Sequence, residues 1–249
     1  DIEEAREHFE QALSIHRDRE DRAGEAGTLA RLGAIAREVG HLDRAREYHE
    51  RCLDIHRARD DRPSEADSLA ALGRVALDAD DHSEAHKRYR RAMYIYEDIG
   101  DRAGEADALC GLGRTELALV DHDSARERYQ AALSICEETG DRARKAKALR
   151  GLGRVDLATE SLDRAHTRYQ AALDIYEDIG DRAGEADTLN ALGRVAFAEG
   201  VPGQARVYYR QALDRYRDLG DQAGEADTLE RLGTAARTEG NRSQARGYH

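Results

Sequence analysis

The chain has 249 residues, and its 39 Lys and Arg against 51 Asp and Glu give a formal net charge of −12. Hydrophobic residues make up 40% of the chain and charged residues 36%, and no apolar run approaches the roughly 18–20 residues of a membrane-spanning helix. This composition excludes a membrane span, and an acidic chain lacks the clustered Lys and Arg on which nucleic-acid binding relies. Only two prolines occur, as expected of an almost wholly helical chain.

The three cysteines, Cys52, Cys110 and Cys136, are odd in number and far apart. Their spacing predicts neither a disulfide framework nor a zinc site, and we expect a reducing, cytoplasmic location. Because the chain starts at Asp1 rather than Met, we expect it to be a piece of a longer protein.

The chain repeats itself every forty residues. The register is shown by one aspartate in each repeat, at Asp21, Asp61, Asp101, Asp141, Asp181 and Asp221. Leu-Gly pairs recur in step with it, and residues 95–107 and 175–187 are identical. Apolar residues spaced by three and four predict two helices in each repeat, here called the first and the second helix. A single pair cannot bury both of its apolar stripes, so neighbouring pairs are expected to stack.

In chain order, we predict one solenoid over residues 1–249. It opens on a second helix without its first helix and closes on a first helix, expected at 222–239, followed by a short stub. The predicted segments are 1–20, the five repeats 21–60, 61–100, 101–140, 141–180 and 181–220, and the closing segment 221–249. In the fifth repeat, Asp181 is the expected N-cap, while Gly200 and Gly220 are expected to end the first and second helices.

These residues resemble the tetratricopeptide repeat. The family pattern of Leu-Gly, Ala, an aromatic residue and Ala matches Leu192-Gly193, Ala205, Tyr209 and Ala212. The forty-residue period resembles the LGN/Pins-type subclass. The resemblance implies an all-α solenoid, a right-handed superhelix of stacked antiparallel helix pairs, whose first helices line a concave groove. It implies a non-enzymatic scaffold that binds a protein or peptide, or alternatively a sensor or oligomerisation arm of a larger signalling ATPase or transcriptional regulator.

Carried over by position, the groove residues of the fifth repeat include Asp187, Asn190, Arg194 and Phe197. Three rows recur at these positions in other repeats. The arginine row is Arg74, Arg114, Arg154 and Arg194; the apolar row is Leu77, Leu117, Leu157 and Phe197; the acidic row is Asp67, Asp107, Asp187 and Asp227.

Two interpretations of these rows stay open on the sequence. In the first, the arginines bind carboxylates of a peptide whose apolar side chains lie on the apolar row. In the second, the apolar row seals one repeat against the next, and the arginines are neutralised internally, as Arg74 would be by Asp78 four residues on.

Two acidic residues, Glu116 and Asp156, stand where other repeats place an inward alanine. A buried unpaired carboxylate is costly, so each is expected to reach solvent or an arginine, with Arg128 and Arg168 as the candidates. The favoured interpretation is a structural ion pair, and the alternative is a polar pocket.

Catalytic and nucleotide-binding motifs are missing from the sequence, which predicts no enzyme, no cofactor and no metal. His82 and His86 are four residues apart, but zinc needs three or four converging ligands. The open ends lack polar capping repeats, which predicts end-to-end self-association. The residues expected to mediate it are Leu13, Ile15, Leu229 and Leu232.

Overall fold

The computed structural model describes residues 2–246, and side chains are described for residues 2–240. The described residues form twelve α-helices and no strand. The helices are α1 Ile2–Asp18, α2 Arg22–Glu38, α3 Leu42–Ala58, α4 Arg62–Asp78, α5 His82–Ile99, α6 Arg102–Ala118, α7 His122–Thr139, α8 Arg142–Ala158, α9 Leu162–Ile179, α10 Arg182–Ala198, α11 Pro202–Leu219 and α12 Gln222–Arg246. Even-numbered helices are the first helices of the sequence repeats, and odd-numbered helices are the second helices.

Local chemistry explains where the first helices begin. The predicted N-cap Asp181 accepts a hydrogen bond from the backbone N–H of Gly184 at 2.9 Å, and Asp101 does the same from Gly104 at 2.9 Å. These bonds satisfy N–H groups that have no partner within the helix. Equivalent caps are formed by Asp21, Asp61, Asp141 and Asp221.

The ends of the helices also follow from local chemistry. Gly220 caps α11 with a φ of 70°, and Gly200 follows α10 with a φ of 79°, so both predicted stops are confirmed. Glycine suits these turns because a side chain crowds a left-handed backbone. After α6 the same turn is made by the β-branched Val120 at a φ of 62°, a strained conformation for that residue.

One predicted helix end does not hold. The sequence predicts that the closing first helix stops near residue 239, but α12 continues to Arg246. The cause is local: Gly240 keeps a helical backbone, whereas Gly40 and Gly200 adopt a positive φ and break the helix.

Two compact units divide the chain, unit 1 over Asp1–Ala131 and unit 2 over Ala132–His249. Within each unit, consecutive helices are joined by two or three residues and therefore run antiparallel. Consecutive helices pack against each other, most extensively within a first–second pair such as α4 and α5 or α10 and α11, and a first helix also touches the following first helix, as α4 touches α6 and α8 touches α10. This stacking of helix pairs is the all-α solenoid that the sequence predicts.

Aromatic residues of the second helices pack against glycines of the first helices. A Cβ atom on Gly73 would lie 2.9 Å from the Tyr89 ring, and a Cβ atom on Gly153 would lie 2.9 Å from the Tyr169 ring. The tyrosines at the four equivalent positions of the second helices are all buried; they are Tyr89, Tyr129, Tyr169 and Tyr209. Small residues at the Leu-Gly position thus allow the two helices of a repeat to approach closely.

Candidate functional site

The arginine row lies on the exposed side of the first helices. In unit 1, Arg74 and Arg114 are exposed on α4 and α6, and in unit 2, Arg154 and Arg194 are exposed on α8 and α10. The Leu-Gly residues that precede each arginine are buried, so the guanidinium groups project from the side opposite the helix-pair core. This exposed side of the first helices is called the first-helix face below.

The apolar row next to it is only partly accessible. Leu77 is 7% exposed and belongs to the main core cluster of unit 1, as the packing interpretation requires. Leu117, Leu157 and Phe197 are half-buried, so each retains a contact surface for another molecule. Phe197 also lines a cavity of about 260 Å³ between α10 and α12 of unit 2, together with Tyr209, Asp227, Glu230, Arg231 and Thr234.

The carboxylate of Asp78 contacts guanidinium groups on both neighbouring first helices. Its Oδ2 atom lies 2.8 Å from Nη1 of Arg37, and its Oδ1 atom lies 3.3 Å from Nη2 of Arg114. The sequence proposed Asp78 as the partner of Arg74, and that pairing is not formed. Both oxygens of Asp78 are instead taken by arginines from α2 and α6, which leaves Arg74 exposed.

Members of the acidic row hold second helices against first helices. The Tyr96 hydroxyl donates a hydrogen bond to Asp67 at 2.7 Å, and the Tyr216 hydroxyl donates one to Asp187 at 2.9 Å. Burial is the largest cause that raises the pKa of both tyrosines, and the neighbouring carboxylate raises the pKa of each further. Asp107 occupies the same row and is half-buried.

In unit 2 this row also carries an ion pair, between Asp187 and Arg150 of α8. The Arg150 guanidinium stacks 5.9 Å from the centroid of the Tyr176 ring. Sequence reasoning did not single out Arg150, although the basic run 142–150 of α8 is a visible signal for it.

Asn190 is 8% exposed on α10. Its Nδ2 group donates hydrogen bonds to Asp227 at 3.0 Å and to the Thr228 hydroxyl at 3.4 Å. Its Oδ1 atom is buried and has no hydrogen-bond partner among the described residues. The described part of unit 2 therefore contains a buried acceptor without a donor.

The two inward carboxylates form the predicted ion pairs. Glu116 is 5% exposed and accepts a hydrogen bond from Nε of Arg128 at 3.2 Å, with Nε2 of His86 at 3.5 Å. Asp156 is fully buried, and its carboxylate lies 3.1 Å from Nη1 of Arg168. Each acid is thus compensated inside its own unit.

The remaining sequence hypotheses concern cysteines, metals and chain ends. All three cysteines, Cys52, Cys110 and Cys136, are free and buried. No group of three His, Cys, Asp or Glu side chains within the described residues is arranged to hold a metal ion. None of the described helices combines the length and the apolar character needed to cross a membrane.

Of the residues expected to mediate end-to-end association, two keep a large exposed surface. Ile15 is 56% exposed and Leu229 is 45% exposed. Leu13 is 6% exposed because it packs in the core cluster formed by α1, α2 and α3, and Leu232 is half-buried against α10 and α11. Leu13 is therefore a core residue and does not offer the exposed surface that end-to-end association requires of it.

Two family models match the chain, and both describe the tetratricopeptide repeat. One matches residues 1–58, 25–98 and 99–178, and the other matches residues 186–219. The chain belongs to the tetratricopeptide repeat family. No curated protein matches this tetratricopeptide chain in sequence.

Solved structures share the fold at low sequence identity. BtubC from P. vanneervenii is 18% identical with a TM-score of 0.71, and the match covers 88% of this chain and 92% of BtubC. The Rap conjugation gene regulator of plasmid pLS20, solved with the Phr* peptide, is 16% identical with a TM-score of 0.76, covering 89% of this chain and 64% of the regulator.

A third similar structure is the signal transduction ATPase (STAND) protein with a tetratricopeptide repeat sensor from Pyrococcus horikoshii. It is 18% identical with a TM-score of 0.67, and the match covers 95% of this chain and 40% of that protein. The tetratricopeptide chain therefore spans less than two thirds of the Rap regulator and of the STAND protein.

Proposed function

We propose that this tetratricopeptide chain is a non-catalytic scaffold that binds a peptide or protein segment on its first-helix face. The observation that carries the proposal is the pairing, on α8 and α10, of an exposed arginine with a half-buried apolar side chain one turn on. Arg154 lies beside Leu157, and Arg194 lies beside Phe197. Such a face offers a charged contact and an apolar contact at each repeat, which suits a segment with acidic and apolar side chains.

The structures with a similar fold give this proposal support of a general kind. The Rap regulator was solved with a bound peptide, as its description states. Peptide binding by this chain is inferred from its own residues, because the shared identity of 16% supports the fold alone. The proposal includes the division into repeats 21–60, 61–100, 101–140, 141–180 and 181–220, and the assignment of this forty-residue period to the LGN/Pins-type subclass.

A second candidate function is the sensor or oligomerisation arm of a larger signalling ATPase or transcriptional regulator. It is favoured by the similarity to the STAND protein, in which the matched region is 40% of the chain. The two functions agree on a binding face and differ in what the remainder of the gene encodes. A nucleotide-binding motif elsewhere in the full gene favours the sensor arm, and further repeats alone favour the scaffold.

The proposal is tested by selecting binders from a random peptide library and measuring their affinity by calorimetry. We expect the double variant Arg154→Glu with Arg194→Glu to lose at least about tenfold in affinity for the selected peptides, since opposite charges become like charges. Neither guanidinium has an ion pair within the described residues. The free energy of unfolding, measured by thermal denaturation, is therefore expected to change by no more than about 0.5 kcal/mol.

The matched control is Arg210→Glu, which changes an exposed arginine on the second helix α11. It is expected to leave both affinity and unfolding unchanged. Unaltered peptide affinity in the double variant, or loss of its helical structure, would count against the proposed binding face.

A further inference from the structure

A cavity of about 240 Å³ lies between α1, α2 and α3 of unit 1. Its apolar wall is formed by Leu32, Ile35, Ala36 and Val39 from α2 and its end, together with the ring of Tyr48 on α3. Leu32 is 1% exposed and Ala36 is 6% exposed, and both belong to core clusters that include residues of second helices. The cavity therefore lies on the side of α2 that packs against second helices, away from the first-helix face.

Two arginines line the same cavity, Arg6 of α1 and Arg44 of α3. The Arg6 guanidinium is paired with Glu3 at 2.6 Å and with Glu10 at 3.4 Å, so the chain's own carboxylates compensate its charge. Arg44 is exposed and forms no hydrogen bond or ion pair with another described residue. One guanidinium beside the apolar wall is therefore left to bind an anionic group of a ligand.

The equivalent place between α5, α6 and α7 is filled by longer side chains. Ala36 and Tyr48 correspond, by the forty-residue period, to Glu116 and Arg128. The Glu116 carboxylate lies 3.2 Å from Nε of Arg128 and 3.5 Å from Nε2 of His86. A shorter side chain at residue 36 therefore accounts for the cavity, and Glu116 shows that this frame of helices accommodates a carboxylate on its second-helix side.

The volume of the cavity limits the size of a ligand. In another protein, an apolar cavity of about 150 Å³ holds one benzene molecule. On the same scale, the cavity between α1, α2 and α3 holds roughly ten non-hydrogen atoms. An apolar wall with a few polar groups at defined places is typical of sites for small molecules. The size and the lining thus favour a small amphipathic molecule over a peptide segment.

We propose that the cavity between α1, α2 and α3 binds a small carboxylic acid with an apolar body of roughly eight carbon atoms. The carboxylate of the ligand pairs with the Arg44 guanidinium in a charge-assisted hydrogen bond. Its apolar body packs against Leu32, Ile35 and Val39 and is removed from water. This site goes beyond the proposed function, because it lies on another side of the first helices and takes a ligand of another class.

The inference is tested by calorimetry with straight-chain acids from butanoate to decanoate. We expect the affinity to rise about threefold with each added methylene group up to octanoate, because each group buries more apolar surface. Beyond octanoate no further gain is expected, because the cavity is then full. Octanamide, a neutral molecule of nearly the same shape, is expected to bind at least about fivefold more weakly. In NMR titrations, octanoate is expected to shift the methyl resonances of Leu32 and Ile35.

Variants of the lining residues locate the site. Ala36→Leu fills part of the cavity and is expected to weaken octanoate binding at least about tenfold. Val39→Phe, at the exposed edge of the cavity, is expected to have the same effect without a change in the core. Arg44→Gln is expected to abolish the preference for octanoate over octanamide. The matched control is Arg90→Gln on α5, an exposed arginine without an ion pair among the described residues, which is expected to keep this preference.

Three results would overturn the inference. The first is that no acid of the series binds saturably, and the second is that octanoate and octanamide bind equally well. The third is an unchanged octanoate affinity in Ala36→Leu and Val39→Phe, which would place the ligand elsewhere; if Ala36→Leu does not fold, Val39→Phe alone decides. None of these results bears on peptide binding, because Arg154 and Arg194 do not line the cavity.

Discussion

Unit 1 and unit 2 are built on the same helix frame and differ in how charges are placed on it. In unit 1, Asp78 neutralises arginines of two neighbouring first helices. In unit 2 this position is held by Ala158 and Ala198, as it is by Ala118 on α6 of unit 1, and Arg154 and Arg194 face solvent. Because the N-caps, the Leu-Gly pairs and the buried tyrosines are common to both units, the difference does not arise from the backbone. A solenoid can thus keep its packing residues constant while a single exposed position per repeat changes what its surface offers to a partner.

A second difference lies at the junction between repeats. In unit 1, Nε of Arg57 at the end of α3 lies 3.0 Å from the carboxylate of Glu65 in the first turn of α4. The α11–α12 junction of unit 2 keeps the polarity of unit 1, with Nε of Arg217 2.8 Å from the carboxylate of Glu225. At the α7–α8 junction of unit 2 the signs are exchanged, since Glu137 at the end of α7 lies 3.0 Å from Nζ of Lys145 in α8. The geometry of the contact is kept while its polarity is reversed, which adds to the basic character of α8.

The largest effect that we expect concerns His49, which stands in unit 1 where other repeats place a tyrosine. His49 is 5% exposed, and burial, followed by the charges of Arg74 and Arg37, lowers its pKa to about 4. In the unfolded chain a histidine takes up a proton below about pH 6.5. Stability is therefore complete above about pH 6.5 and falls as the pH approaches 4, by about 3 kcal/mol at most.

Substituting His49→Tyr is expected to remove this part of the pH dependence, because Tyr89 packs against Gly73 as His49 packs against Gly33. The pH dependence is measured as the difference between the free energies of unfolding in urea at about pH 7 and about pH 4.5. His8→Tyr, at an exposed position of α1, is the control. Its free energy of unfolding is expected to change with pH as that of the wild type does. If the free energy of unfolding falls equally in wild type and His49→Tyr, the burial of a neutral histidine is not what sensitises unit 1 to acid.

The next prediction tests whether glycine packs against tyrosine equally closely in both units. A Cβ atom at Gly73 or Gly153 would lie 2.9 Å from a tyrosine ring, so Gly73→Ala and Gly153→Ala are each expected to cost about 1–3 kcal/mol. Gly233 occupies the equivalent position of α12, where nothing lies within 4 Å of an added Cβ atom. Gly233→Ala is therefore expected to be stabilising by up to about 1 kcal/mol. Thermal unfolding of the three variants measures these effects, and a loss confined to one unit would show that the frames differ.

Much of the frame could be predicted from the sequence because its determinants are local. The N-cap Asp181 and the helix-ending Gly220 act on atoms a few residues away, so their spacing fixes helix ends without knowledge of tertiary contacts. The ion pairs of Glu116 and Asp156 were also predicted, since a forced burial leaves few partners within reach. These predictions were based on the position of each residue within the forty-residue period.

The partner of Asp78 could not be predicted in the same way. A spacing of four along one helix suggested Arg74, but Arg37 and Arg114 approach from helices that lie beside α4 in space. Long side chains can reach between repeats, and the sequence period alone does not tell which of several equivalent arginines will do so. The burial of Leu13 was missed for a related reason. Residues of α2 and α3 cover its side chain, whereas the sequence alone suggested that α1 forms an open end of the solenoid.

The smallest expected effect tests the exchanged ion pair. Lys145→Glu places a carboxylate against Glu137 and is expected to destabilise unit 2 by about 0.5–1 kcal/mol, because both side chains remain partly exposed to solvent. Adding Glu137→Arg recreates the polarity that Arg57 and Glu65 have in unit 1 and is expected to restore most of this loss. A double-mutant cycle on the free energy of unfolding isolates the pair from the rest of the charge change. A coupling energy of zero would mean that the exchanged signs serve the surface charge of α8 and contribute nothing to the junction between α7 and α8.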